Sequence, residues 1–291
     1  MALASKVSFF SRVVRHRLEG QPRRCPNCGE TAGLRSLGRK KIVVEVIHCE
    51  NCLLIFRWPL ETPEEARSYY QSEYSEGAIT ALPEDPELAV QISGGFRGTS
   101  LDLSAKIELL KICGGAGRVL DYGCSWGYGV YQLARAGLDA TGFEIARSRA
   151  RFGREWLGVR ILDAPGDLAR LPQASFDALF SNHVVEHLLQ LNVAFTEFAR
   201  LLRPGGLAFI VLPNFTGRVA RQGRFWNWIG AAHPLAPTCE FFARNLPPAG
   251  FAAPLFASCP FDEALRERFR RGQADDLQLE GDELLVVTTR T

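Results

Sequence analysis

The feature that most constrains the fold is an alternation of short apolar strands with helical segments, which runs from residue 101 onward. Apolar runs of strand length occur in "GRVLDYG", "LDATGFE", "GVRIL", "SFDALFS" and "LAFIVLP", and "LDLSAKIELLKIC" has the apolar period of a helix. This alternation predicts a parallel, doubly wound α/β sheet of Rossmann-like type. In such a sheet, ligands bind at the carboxyl ends of the strands.

The turn after the first of these strands is rich in glycine. In "VLDYGCSWGYG", Asp121 ends a strand, and Gly123, Gly127 and Gly129 open the following helix. Glycine lets a ligand approach the backbone, although the spacing G-x-x-x-G-x-G differs from the dinucleotide pattern G-x-G-x-x-G. Glu144 ends the second strand, where a carboxylate can accept both hydroxyls of a ribose. Together these features predict a nucleoside site.

This segment resembles motif I of the class I S-adenosylmethionine-dependent methyltransferases, V-L-D-x-G-C-G-x-G, with Ser125 where the family usually has glycine. The resemblance extends to the C-terminus, where "FARLLRPGGLAFIVLPN" is similar to the fifth helix and strand of the family and "DELLVVTTR" to its antiparallel last strand. It implies a seven-stranded methyltransferase sheet over residues 101–291, with S-adenosylmethionine as the cofactor. It also implies these cofactor-binding residues: Asp121, Gly123, Cys124, Gly127, Gly129, Glu144, Asp167, Leu168, Asn182 and His183. In this set Glu144 holds the ribose and Asp167 and Leu168 flank the adenine. Arg97 is a further candidate, for the methionine carboxylate.

Four of the eight cysteines form two C-x2-C pairs, at Cys25 and Cys28 and at Cys49 and Cys52. Paired thiolates at this spacing occupy adjacent corners of a zinc tetrahedron, so residues 25–58 are predicted to form a small zinc ribbon. Because four thiolates complete the coordination, the zinc is expected to be structural, and His48 is not needed as a ligand. No export signal is evident, so we expect a reducing, cytoplasmic compartment without disulfides.

The segments on either side of the ribbon are predicted to be helical. Residues 1–24 form a basic amphipathic helix, which we expect to pack on the body of the protein. A mitochondrial presequence or peripheral contact with a membrane surface are the alternatives, and no apolar run reaches the roughly 18 residues of a transmembrane span. Residues 59–100 are predicted to be a helical linker, whose Tyr69, Tyr70 and Tyr74 serve either as a lid or as plain packing contacts.

The stretch "SNHVVEHL" has the H-x-x-E-H spacing of the inverzincin metallopeptidases, in which the side chains share one helix face. Its place after the fourth strand of an α/β sheet argues against a peptidase, and methyltransferases carry a similar H-V-L-E-H where the next helix starts. Three roles stay open for His183, Glu186 and His187. They could bind a divalent ion, position the sulfonium, or tie helix to sheet as mutually satisfied buried groups, which is the role we favour.

Methyl transfer requires alignment of the reactants and removal of a proton, for which a neutral histidine is suited. The candidate catalytic residues are His183, His187 and His233. The last lies in "WNWIGAAHP" after the fifth strand, close to side chains that either wall a substrate pocket or pack in the core: Arg224, Phe225, Trp226 and Trp228. The predicted function is O-methylation of a small molecule, sugar or glycan intermediate.

Three other functions compete with this prediction. An RNA methyltransferase is supported only by basic residues near the ribbon: Arg23, Arg24, Arg39, Lys40 and Lys41. The net charge of +2 is too small to imply a nucleic-acid partner by itself, and the absence of an N/D-P-P-Y/F/W loop after the fourth strand argues against methylation of a base amine. A non-catalytic adaptor would retain the fold without needing the cofactor. Carbon methylation of a sugar occurs in some ribbon-bearing methyltransferases, which have an additional C-terminal domain.

Overall fold

The computed structural model describes residues 3–73, 80–216, 226, 228–230, 233–274 and 279–291. Tyr74, Arg224 and Phe225, named above, lie outside the described residues. Within these ranges, no helix combines the length and the apolar character that crossing a membrane requires.

The N-terminal region consists of a helix and a small antiparallel sheet. Its strands pair in chain order: β1 (Leu34–Lys40), β2 (Val44–Cys49) and β3 (Ile55–Trp58). The β-branched run in "KKIVVEVIHC" forms β2, as its composition predicts. Helix α1 (Leu3–Leu18) buries Phe9 and Val13 against Val44. The basic helix therefore lies on the ribbon sheet.

The main sheet has seven strands: β4 (Arg118–Tyr122), β5 (Asp139–Phe143), β6 (Ile161–Leu162), β7 (Phe176–Asn182), β8 (Leu202–Pro213), β10 (Leu255–Ser258) and β11 (Glu283–Thr289). Their spatial order is β6-β5-β4-β7-β8-β11-β10. The strands from β6 to β8 run parallel, whereas β11 is antiparallel to both β8 and β10. The predicted doubly wound α/β sheet with an antiparallel last strand is confirmed.

The helices after the ribbon are α2 (Pro63–Ser68), α3 (Asp85–Ser93), α4 (Ser104–Ile112), α5 (Tyr128–Arg135), α6 (Arg147–Trp156), α7 (Pro165–Arg170), α8 (Leu191–Leu201), α9 (Cys239–Asn245) and α10 (Glu263–Arg270). Helices α3 to α6 and α10 contribute to one apolar core of the main sheet and α7 to α9 to the other, whereas α2 buries no residue. Successive strand residues enter different cores: Val119 packs in the core that contains α4 and α5, and Leu120 in the core that contains α8 and α9. The central strands are apolar on both sides because both faces are covered.

The ribbon and the main domain share structure. Strand β9 (Leu235–Ala236) comes from the C-terminal half of the chain and pairs antiparallel with β3, Phe56 opposite Leu235. Val46 and Phe56 of the ribbon belong to the same apolar core as Phe241 of α9. The predicted ribbon (residues 25–58) and the predicted main domain (residues 101–291) therefore share one sheet and one apolar core.

The α-helix expected to begin at His183 does not form. The backbone N–H of His183 donates to the Val211 carbonyl at 2.8 Å, so this residue still belongs to the end of the sheet. Its φ of 56° is left-handed, which a right-handed helix cannot accommodate. Only a 3-10 turn, Val185–His187, follows, and α8 begins at Leu191. The three H-x-x-E-H side chains thus do not share an α-helical face.

Candidate functional site

A cavity of about 450 Å³ opens at the carboxyl ends of β4, β5 and β7, where a doubly wound sheet binds its ligands. One side is formed by the glycine-rich turn and the end of β5, with Gly123, Ser125 and Glu144. A second wall of the cavity is formed by the C-terminal half of the chain and carries Trp228 and His233. The lining also includes Tyr70, Asn182, His183, Val184, His187, Asp282 and Glu283.

Glu144 is the best-anchored polar group of the first wall. Its two carboxylate oxygens accept hydrogen bonds from the backbone N–H groups of Ser125 at 3.0 Å and Ala146 at 2.7 Å. Burial raises the pKa of Glu144, although these bonds and the charge of Arg149 oppose the rise. A carboxylate has about four lone-pair sites, so two remain to accept other donors.

Ser125 departs from the usual glycine of motif I and takes up a left-handed conformation, with φ of 51°. Its hydroxyl oxygen is buried and has no hydrogen-bond partner in the part of the chain that is described. Buried polar atoms are normally hydrogen-bonded. An orphaned hydroxyl in the lining of a cavity is therefore a group that a ligand can satisfy.

The glycines of the turn allow other parts of the protein to pack closely against its backbone, and they do not mainly expose that backbone to a ligand. A Cβ on Gly129 would lie 2.4 Å from the Asp121 carboxylate, and one on Gly127 would lie 2.8 Å from the Val159 side chain. At Gly123 a Cβ would meet Val184 at 2.3 Å. Burial and the charge of Glu144 raise the pKa of Asp121 to about 8. Asp121 thus lies beneath the turn.

His183 is held by carboxylates on two sides. Its Nε2 lies 2.6 Å from Oε1 of Glu283, at the start of β11, and its Nδ1 lies 3.4 Å from Glu186. Glu283 also pairs with Lys106 at 2.6 Å, and Lys106 donates to Asn182 at 2.8 Å. Burial lowers the pKa of His183, but Glu186 and Glu283 outweigh it and raise that pKa to about 9. At neutral pH this histidine is protonated.

Glu186, His187 and His233 form a second cluster, in which one ligand atom of each residue lies within 4.8 Å of the others. The Glu186 side chain is fully buried, and neither of its oxygens has a hydrogen-bond partner among the residues described. Its distance to His187 Nε2 is 3.8 Å. Nδ1 of His233 lies 3.0 Å from the Trp228 carbonyl, which makes that nitrogen the donor and leaves Nε2 as an acceptor.

The cavity collects about half of the residues predicted from the sequence: Gly123, Glu144, Asn182, His183, His187 and His233. The others do not line it: Asp121, Cys124, Gly127, Gly129, Asp167 and Leu168. Asp167 accepts from the Ala164 N–H at 3.2 Å and so caps α7, while Leu168 is buried. Arg97 is exposed and lies elsewhere. Of the tyrosines, Tyr70 lines the cavity and Tyr69 is buried.

Several residues in the cavity lining or in contact with it were not predicted from the sequence. Glu283 and Lys106 form the network around His183, although they are 177 positions apart in the chain. Arg149, from α6, lies 3.9 Å from Glu144. The only sequence signal for Glu283 is its place at the start of the last strand, opposite the end of β8.

The four paired cysteines converge at the ribbon. Sγ of Cys25 is 3.5 Å from Sγ of Cys52, and Sγ of Cys28 is 3.6 Å from that of Cys49. A tetrahedron with zinc–sulfur bonds of about 2.3 Å has sulfur–sulfur edges of about 3.8 Å. The four sulfurs form a group of metal-binding size that does not include His48.

The central part of the chain is similar to known methyltransferases. Residues 120–210 match a family model described as a methyltransferase domain. A ubiquinone biosynthesis O-methyltransferase of Sinorhizobium medicae is 32% identical over 113 residues, which cover 37% of this chain and 46% of the relative. A probable S-adenosylmethionine-dependent methyltransferase of Mycolicibacterium smegmatis is 39% identical over 107 residues, 34% of this chain and 39% of the relative. The chain spans less than half the length of these curated relatives.

The fold of the chain is also similar to that of a solved methyltransferase structure. A SAM-dependent methyltransferase from Archaeoglobus fulgidus superposes with a TM-score of 0.51 over 69% of this chain and 99% of that chain. The sequence identity is 16%, so this likeness concerns the architecture alone.

Proposed function

We propose that this chain is a class I S-adenosylmethionine-dependent methyltransferase that methylates a hydroxyl of a small molecule, sugar or glycan intermediate. The match of residues 120–210 to a methyltransferase-domain model supports the reaction class. The relative from Sinorhizobium medicae is named as an O-methyltransferase, which supports oxygen as the acceptor atom. The small net charge supports a small-molecule acceptor over nucleic acid.

The observation that carries the proposal is the anchored Glu144 carboxylate beside the glycine-rich turn. Its two remaining acceptor sites suit the paired hydroxyls of a ribose, and the orphaned Ser125 hydroxyl offers a further polar contact. Gly123 and Asn182 complete this wall of the cavity. S-Adenosylmethionine, when bound, supplies a methyl group on a sulfonium, which is already a strong leaving group. The protein's part is to orient the acceptor and to help remove its proton.

The acceptor is proposed to bind on the side of Trp228, His187 and His233. A protonated His183 is poorly suited as a base, because its pKa of about 9 keeps the proton on the ring at neutral pH. His233 is the better candidate, since the Trp228 carbonyl orients its ring and leaves Nε2 able to accept a proton. His187 lies beside it, with 4.9 Å between ring centroids.

A divalent metal ion is a second way in which this cluster could assist, and the convergence of the Glu186, His187 and His233 ligand atoms favours it. The protonated His183 ring, 3.4 Å away, already offsets part of the cost of burying the Glu186 carboxylate, and a bound cation would offset more of it. Two imidazoles and one carboxylate suit a first-row transition metal. Such an ion lowers the pKa of a coordinated hydroxyl. His233 is needed under either mechanism, as a base or as a ligand.

The zinc ribbon is proposed to be structural. Four cysteine thiolates leave no open coordination position, and three of them are buried: Cys25, Cys49 and Cys52. Under this proposal residues 25–58 fold around zinc, α1 covers the ribbon sheet, residues 59–100 link it to the cavity, and residues 101–291 carry the chemistry.

Calorimetry with S-adenosylmethionine tests the cofactor site. We expect the wild-type protein to bind it and Glu144→Gln to bind about tenfold more weakly, because charge-assisted bonds become neutral ones. Glu155→Gln, an exposed acid on α6, is the matched control and should bind like the wild type. No binding by the wild type would favour the adaptor function and contradict the proposal.

The acceptor class is tested with methyl-labelled cofactor and an extract of the source organism. We expect label in a small hydroxylated compound, identified by mass spectrometry, and its loss in His233→Ala with cofactor affinity retained. Label in RNA, together with binding that falls steeply as salt is added, would support the RNA methyltransferase instead.

A further inference from the structure

The cavity wall that carries Trp228 and His233 is a tight turn of the chain. The N–H of Gly230 donates to the His233 carbonyl at 2.9 Å, and Ile229 and His233 form an isolated parallel bridge. These contacts close the turn on itself. They do not fix the position of the turn relative to the glycine-rich wall, which depends on contacts with other parts of the chain.

Lys40, at the end of β1, is one of these groups. Its ammonium donates to the Ile229 carbonyl at 2.8 Å and also to the Trp226 carbonyl. Close by, a Cβ on Gly38 would lie 3.0 Å from the Trp226 ring, so glycine at this strand position allows the indole to pack on the ribbon. One ribbon side chain therefore joins two carbonyls of the segment that leads into the wall.

Arg57, on β3, is the second group. Its Nε donates to the Gly230 carbonyl at 2.6 Å, and its backbone N–H donates to the Pro234 carbonyl at 2.9 Å. The side chain is almost fully buried and also binds the Pro59 carbonyl and Glu61. Directly after Pro234 the chain enters β9 and joins the ribbon sheet. His233 is thus bracketed by ribbon contacts on both sides.

The cofactor wall is held differently. Glu144 receives its hydrogen bonds from Ser125 and Ala146, both within the α/β domain. Gly123 approaches Val184 of the same domain. The ribbon therefore supports one wall of the cavity and leaves the other to the main sheet.

We propose that Lys40 and Arg57 of the zinc ribbon are positioning residues for the acceptor wall, setting where Trp228 and His233 meet the substrate. This inference rests on the proposed function, because it requires that wall to bind the acceptor. It gives the ribbon a role beyond its own stability. The acceptor site is incomplete without the ribbon, whereas the cofactor site is complete.

The test compares Lys40→Met with its neighbour Lys41→Met. Lys41 is exposed and its ammonium lies over the Phe10 ring of α1 at 4.9 Å, away from the carbonyls that Lys40 binds, so its substitution is a matched control. Two measurements are made on each full-length variant: the rate of label transfer from S-adenosylmethionine in one fixed extract, and the calorimetric affinity for S-adenosylhomocysteine.

We expect K40M to lower the transfer rate by about tenfold or more, since small displacements of reacting groups are costly. Its affinity for S-adenosylhomocysteine should change by less than about twofold, and K41M should resemble the wild type in both measurements. K40R, which retains donors for the two carbonyls, should recover most of the rate.

Equal transfer rates in K40M and K41M would overturn the inference. So would a parallel loss of S-adenosylhomocysteine affinity in K40M, which would indicate general damage to the fold. Failure of the wild type to bind S-adenosylhomocysteine would contradict the proposed function itself. That outcome is distinct from failure of this inference, which is read from the difference between K40M and K41M.

Discussion

The ion pair between Glu283 and His183 should be measurable as a pH-dependent contribution to stability. The two side chains meet at 2.6 Å, and Glu283 also pairs with Lys106. The shift in the pKa of His183 runs from 6.5 to about 9, and burial of Glu283 is outweighed by His183 and Lys106, which lower the pKa of that carboxyl to about 2. The perturbation is Glu283→Gln, combined with His183→Asn in a double-mutant cycle.

The expected magnitude follows from these values. Each pKa unit corresponds to about 1.4 kcal/mol, so the His183 shift alone would give about 3 kcal/mol. This shift is shared between Glu186 and Glu283, so only part of it belongs to the Glu283 pair. The His183 side chain is also 36% exposed, and the sharing together with solvent screening reduces the expected coupling to about 1–2 kcal/mol. The raised His183 pKa means that its stabilisation is complete below pH 6.5 and is lost as the pH rises through about 9. The lowered Glu283 pKa means the reverse on the acid side: stabilisation is complete above pH 4.5 and is lost as the pH falls through about 2.

Urea unfolding of the wild type, the two single variants and the double variant gives the coupling free energy. We expect about 1–2 kcal/mol near pH 5.5 and little coupling near pH 10, where His183 is neutral. The double-mutant cycle is needed because Glu283→Gln also removes the ion pair with Lys106. That loss occurs whether or not His183 is present, so its free energy cancels in the difference. A coupling that is the same at both pH values, or a His183 proton resonance that titrates near 6.5 in the wild type, would refute the reasoning.

Two further predictions concern metal ions. Glu186→Gln should weaken Mn²⁺ binding to zinc-loaded protein by at least about tenfold, measured by the electron paramagnetic resonance signal of free Mn²⁺, because one of the three ligands is lost. Wild-type protein that binds no Mn²⁺ would contradict the metal-assisted mechanism. Cys49→Ser should lose most of the bound zinc, measured by elemental analysis, and should melt at a lower temperature because the ribbon shares its core with α9. Undiminished zinc content would show that these four cysteines are not the ligands.

Much of the fold could be predicted from the sequence because the signals are local. The centres of β7 and β8, residues 178–180 and 207–212, are unbroken apolar runs, as expected for strands covered on both faces, and the acid of Glu144 falls at the end of its strand. The H-x-x-E-H stretch misled the prediction for a local reason as well. Its spacing fits a helix, but the hydrogen bond from His183 to Val211 keeps that residue in the sheet. Spacing alone carries no information about such a long-range bond.

The candidate site was predictable only in part. Gly127 and Gly129 were expected to face a ligand, yet the space beside them is filled by Val159 and Asp121. A glycine pattern indicates that something approaches the backbone closely, and does not say whether that is a ligand or the protein itself. Conversely, Glu283 reaches the cavity because the antiparallel last strand inserts beside β8, a placement that becomes visible only once the sheet order is known.

The ribbon, too, could be predicted from the sequence only where its signals are local. Its cysteine spacing predicts a metal site without any knowledge of the rest of the chain, but the contacts between the ribbon and the cavity wall join residues far apart in sequence. Lys40 and Ile229 are separated by 189 positions, and Arg57 and Gly230 by 173. A basic residue near a zinc ribbon invites the interpretation of a nucleic-acid contact, whereas the Lys40 ammonium is already engaged by two backbone carbonyls. Lys40, held in this way, is therefore weak support for a phosphate contact and is compatible with the proposed small-molecule acceptor.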